Sequence, residues 1–136
     1  MSNNYHHLPH NPEEQRKIDR ENQLAKYRLE LEELGKSHSG LPHDHQNMLM
    51  QVDLKGKIWE LEFQGMTHAE LIVSFNKLVG LRNWGFYISK YVEVLINEIQ
   101  SREFDSSIIF SIDAAGRRCT SLKRKVVLRG NQLEFE

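Results

Sequence analysis

The residues of this chain best suited to chemistry are its histidines, a single cysteine and a run of cations. "HHLPHN", from His6, and "LPHDHQ", from Leu41, each set Leu-Pro-His among further histidines. Imidazole is the usual protein ligand for zinc, nickel or copper. His43 and His45 have a His-x-His spacing that suits one metal on an extended chain, with Asp44 between them and His6, His7 and His10 as a second cluster. Both segments read as polar loops, where no neighbouring group would orient the rings. A helix over 12–34 would also hold the two clusters roughly 34 Å apart, at about 1.5 Å per residue. His43 and His45 are thus candidate ligands, but the plainer expectation is a pair of loops flanking a helix.

"THAE", at 67–70, contains the His-x-Glu that zinc deaminases use, but that chemistry also needs a Pro-Cys-x-x-Cys segment. With Cys119 as its one cysteine the chain has none, and a capping box already accounts for Thr67 and Glu70. Cys119 lies among Arg117, Arg118, Lys123, Arg124 and Lys125, and neighbouring cations lower a thiol's pKa. Where a phosphatase-like cysteine loop has its arginine, this chain has Lys125, and no helix follows to bind phosphate. "THAELIVSFNKLVGLRNWGFYISKY" has a helix-turn-helix cadence, yet its second helix offers Arg82, Asn83 and Lys90 among Trp84, Phe86, Tyr87 and Ile88. That composition suits a core helix better than one that reads a groove.

The strongest local anomaly is basic. Arg117, Arg118, Lys123, Arg124, Lys125 and Arg129 occur with no acidic residue between Asp113 and Glu134. On a strand, Lys123, Lys125 and Arg129 share one face with Val127, while Leu122, Val126 and Leu128 share the other with Arg124. One reading is an edge strand that lysine protects from aggregation. The other is a phosphate-binding surface made by Arg117, Arg118, Lys123, Lys125 and Arg129, for nucleic acid or a nucleotide.

The rest of the sequence must position these groups. Residues 1–11 read as a flexible N-terminus and 36–47 as a His/Pro/Gly loop, with a charged amphipathic helix between them over 12–35. Asn11 caps this helix, Pro12 is its first residue and Gly35 its expected stop. Leu24, Tyr27, Leu31 and Leu34 form a short apolar seam on it. The seam predicts a protruding helix and a homodimer or higher oligomer with these four residues in the contact.

Residues 48–136 read as the core domain. "MLMQVDL" and "KIWELEF", parted at Gly56, predict a β-hairpin, because Trp59, Leu61 and Phe63 alternate with Glu60 and Glu62. Helices are expected over 67–80 and 83–102, the second with a face of Trp84, Tyr87, Ile88, Tyr91, Leu95 and Ile99. "SIIFSI", "SLKRKVVL" and "QLEFE" predict strands, with a tight turn at Gly130 and Asn131. The order is α-ββ-αα-βββ, a single α+β domain in which a helical hairpin packs on an antiparallel sheet.

The chain has 136 residues, 39% hydrophobic and 27% charged, with a formal charge of −1. An electrostatic partner must therefore be drawn by a local patch rather than by net charge. One cysteine excludes an internal disulfide framework, no apolar run spans a bilayer and no secretory signal is recognisable, so a cytoplasmic location without membrane contact is expected. No nucleophile–base pair, paired carboxylates or phosphate-cradling glycine loop can be assembled. The sequence thus predicts a non-enzymatic binding or regulatory protein without a cofactor, acting on nucleic acid or a nucleotide. The alternative is an adaptor or inhibitor of another protein, of the kind carried on mobile elements.

Overall fold

The computed structural model describes residues 11–37 and 45–136, without the side chains of Ser37 and His45. Helix α1 (Pro12–Ser37) begins where expected. The Asn11 side chain accepts the N–H of Glu13 at 3.0 Å and its carbonyl accepts that of Gln15. Gly35 does not end it; the helix runs two residues further. Nor does α1 protrude. It lies along α2 (His45–Gln64), and the direction is antiparallel, because Arg20 lies beside Gly65 and Tyr27 meets Lys57 further back along α2. Arg28 also pairs with Glu62 at 3.0 Å. Leu24 is buried, and Tyr27, Leu31 and Leu34 are half-buried.

The expected β-hairpin over 48–63 is instead this one helix, α2. The reason is that α2 packs on both α1 and α4 (Phe86–Ser101) and needs apolar residues on two sides. Trp59 and Phe63, one helical turn apart, meet the ring of Tyr91 on α4 edge-on, each at 5.2 Å. Leu61 points elsewhere, to a cleft shared with Arg16, Arg20 and Gln23 of α1. Two stripes on one helix imitate strand alternation over a short window. Gly56 is no turn: it is buried where α2 meets Lys90, whose Cε lies 2.5 Å from where a Cβ would sit.

Helix α3 (His68–Leu78) has the expected capping box. Thr67 Oγ1 accepts the N–H of Glu70 at 3.1 Å, and the Glu70 carboxylate accepts that of Thr67 at 2.8 Å. Leu71, Ile72, Phe75 and Leu78 are buried, and Gly80 turns the chain at φ +81°. Helix α4 starts at Phe86 rather than near Asn83, so Trp84 lies outside it and outside the core. Of the rest of the expected face, Leu95 and Ile99 are buried and Ile88 and Tyr91 pack against the core, whereas Tyr87 is half-buried and lies under the Lys55 ammonium at 4.9 Å. At the end of α4, Arg102 ties three helices together. Its guanidinium donates to the carbonyls of Phe63 and Met66 at 2.8 and 2.9 Å and to Glu98 at 2.7 Å, and it meets His68 Nδ1 at 3.0 Å.

A short 3-10 turn (Ser107–Ile109) leads into β1 (Phe110–Ile112), which pairs antiparallel with β2 (Arg118–Thr120). β3 (Val126–Arg129) and β4 (Gln132–Phe135) form a second antiparallel pair, joined by the expected turn at Gly130 (φ +60°) and Asn131. The described residues thus hold two small sheets rather than one, and the expected strand over 121–128 survives only from Val126. The architecture is a single α+β domain, helices first and strands last. Its core joins Phe63, Phe75, Leu95 and Ile99 of the helices to Ile109, Val126 and Leu133.

Candidate phosphate-binding surface

The cations singled out in the sequence do not form one strip. Arg117 closes the β1–β2 turn. Asp113 Oδ1 accepts the N–H groups of Ala115 and Arg117 at 2.9 and 2.8 Å, and Arg117 Nε donates to Oδ2 at 3.1 Å. The N–H of Arg117, followed by the N–H of Ala115 and the Arg117 and Cys119 side chains, holds the Asp113 carboxyl below the usual carboxylate range. The Cys119 thiol is exposed and donates to Asp113 Oδ2 at 3.8 Å. Arg118 lies over the Phe110 ring at 4.6 Å, and Arg124 over Phe135 at 4.4 Å, both within reach of cation–π attraction. Arg129 faces Glu134 diagonally across the outer face of β3–β4 at 3.9 Å.

Lys123 and Lys125 differ from these four. They lie in the bend before β3, both exposed, and no anionic partner for either ammonium is found among the described residues. The bend adjoins the C-terminal half of α3, where Lys77 and Asn76 line a cleft of about 280 Å³ with Lys125, Val73 and Glu136. Asn76 fixes this junction. Its amide donates to the Val126 carbonyl and its oxygen accepts the Val126 N–H, both at 2.9 Å.

That bond also bears on the aggregation-defence reading. In β3, Val126 and Leu128 turn their backbone groups away from β4, and those of Val126 are taken by Asn76. On the other edge the N–H of Leu133 donates to the carbonyl of Asp105 at 2.9 Å, and the N–H of Asp105 to that of Asn131 at 2.8 Å. Other groups thus occupy the β3 edge at Val126 and the β4 edge at Asn131 and Leu133, and Lys123 and Lys125 stand before the strand rather than on it.

A larger groove, about 470 Å³, lies elsewhere, between the end of α4 and β1. Phe104, Phe110 and Ile112 give it apolar walls, and Asp105, Ser107, Ser111 and Arg118 its polar groups. The hydroxyl of Ser107, then its N–H, lowers the pKa of Asp105.

The other expected sites are quickly placed. His43, with His6, His7, His10 and Asp44, falls outside the described residues, and His45 opens α2 with its side chain undescribed. Among the described residues no group of three His, Cys, Asp or Glu side chains is placed to hold a metal. His68 and Glu70 are engaged by Arg102 and Thr67. Of the oligomer stripe, Leu24 is buried and Tyr27, Leu31 and Leu34 are half-buried on a helix that packs on α2, while Ile18 and Leu29 are the exposed large apolar residues of α1. No described helix is long and apolar enough to cross a membrane. Trp84, assigned from the sequence to the core, is exposed in the loop that follows Gly80. The signal for this was Gly85, which stops α4 from reaching back to it. Compared with models of protein families, with curated proteins and with solved structures, the chain matches none.

Proposed function

We propose that the protein is a non-enzymatic binding protein whose ligand carries phosphate, with nucleic acid as the favoured class, and that the 123–125 bend is its point of contact. The observation that carries this reading is the state of Lys123 and Lys125: both are exposed and neither forms an ion pair among the described residues, and Lys125 shares its cleft with Lys77 and Glu136. Arg117 and Arg129 are engaged by Asp113 and Glu134 and act in the hairpins, so the contact is narrower than the full set of cations. Arg118 belongs to the groove beside β1 and is a separate station.

A salt series of fluorescence polarisation against nucleic acid and short nucleotide probes tests the reading. Affinity is expected to fall as salt rises, by about 0.9 log units per log unit of salt for each duplex phosphate neutralised. Lys123→Glu with Lys125→Glu should abolish binding and leave the fold intact, because both side chains are in solvent. No binding to any probe at low salt would overturn the proposal and leave a protein partner as the leading reading.

A further inference from the structure

The loop between α3 and α4 is tied near its start to the segment that carries the basic bend. The N–H of Gly80 donates to the carbonyl of Leu122 at 3.2 Å, one residue before Lys123. From there the chain passes through Leu81, Arg82, Asn83 and Trp84 to Phe86, all exposed. Trp84 is 45% exposed and Phe86 58%, although large aromatic side chains ordinarily shelter most of their surface. Trp84 is also fixed in place. Its indole N–H donates to the carbonyl of Leu81 at 3.1 Å, which folds the ring back toward the turn held by Leu122. With its one polar group satisfied internally, the indole offers a partner its π surface.

We infer that the ligand of the bend is single-stranded nucleic acid, with an unpaired base stacked on Trp84. The inference rests on the phosphate-binding reading above and adds to it the strandedness of the ligand. Lys123, Lys125 and the neighbouring Arg82 suit a sugar–phosphate backbone, and an exposed aromatic ring beside cations is the arrangement by which single strands are held without sequence preference. A duplex hides its base faces in its own stack, so it would meet the cations but not the indole. A protein partner would make use of the ring but has no general need for the cations.

The test is fluorescence polarisation at low salt with a labelled single strand and the duplex of the same sequence. It is run on the full chain, on Trp84→Ala, on Trp84→Phe and on the Lys123→Glu/Lys125→Glu double variant. The single strand should bind more tightly than the duplex. Trp84→Ala should weaken single-strand binding roughly tenfold with an unchanged salt slope and leave duplex binding as it was. Trp84→Phe, which keeps a ring, should recover part of the loss. The lysine variant should lose both ligands. If the duplex binds as tightly as the single strand, or Trp84→Ala changes neither affinity, the stacking inference is wrong while the phosphate reading stands. If no probe binds, both fall.

Discussion

The carboxamide of Asn76 meets both backbone groups of Val126, accepting its N–H and donating to its carbonyl at 2.9 Å each. A side chain on a helix thereby takes the place of a neighbouring strand. Val126 is buried, so Asn76→Ala leaves a donor and an acceptor without partners at the joint between α3 and the sheet. We expect a loss of about 2–4 kcal/mol, read from the urea midpoint, with an unchanged m-value. Asn76→Asp keeps the acceptor but sets a carboxylate against the carbonyl, and should recover little.

Arg102 serves four acceptors with one planar fork. Lysine carries the charge but not the geometry. Arg102→Lys should therefore destabilise by about 2–3 kcal/mol. Amide exchange should locate the loss at the end of α2 and the start of α3, where the carbonyls of Phe63 and Met66 lose their donor.

Glu70, Asp105 and Asp113 all titrate below their ordinary values, chiefly through the N–H of Thr67, the hydroxyl of Ser107 and the N–H of Arg117 respectively. A carboxylate lowered by folding contributes stability that is present above its unfolded pKa and lost as pH falls through the folded one. The melting temperature should hold steady from neutral pH down to about pH 5 and drop below about pH 4. Asp113→Asn, which cannot titrate, should flatten part of that drop. Thr67→Ala, which removes the other half of the capping box, should cost about 1 kcal/mol at neutral pH and less in acid, because the Thr67 side chain also helps to lower the pKa of Glu70.

Gly56 lies where α2 meets Lys90. Alanine there displaces only the end of a flexible side chain and gains helix propensity, so Gly56→Ala should change stability little. Gly56→Leu must part the helices and should cost about 1–3 kcal/mol. Near-ultraviolet circular dichroism of Trp59 and Tyr91, whose rings touch at 5.2 Å, would report the parting.

What the sequence revealed and what it hid divide along a physical line. Thr67 with Glu70, Gly80, and Gly130 with Asn131 were legible because their chemistry is local: a hydroxyl three residues from a carboxylate, or a positive φ, decides the structure wherever the segment lies. The identity of α2 was not, because its apolar pattern is set by two partners at once. The site was half legible. Lys123 and Lys125 stood out by composition, but their separation from Arg117 and Arg129 depends on which carboxylates and rings the fold supplies. Asp113 four residues before Arg117 hinted at one such pairing; nothing adjacent in sequence announced that Leu122 would meet Gly80.

Helix α1 has a consequence of another kind. Its principal contacts are with α2, through one buried leucine, three half-buried apolar residues and an exposed ion pair, whereas the remaining elements are interlocked by Arg102, Asn76 and Asp105. Such a helix can detach as a cooperative unit without opening the rest. Its amides should exchange with solvent deuterium through partial opening, well before those of Leu95 or Ile99, which wait for the whole molecule to unfold. A protease acting on the native protein would on the same ground cut first in the N-terminal helix, leaving the bend and Trp84 on an intact remainder.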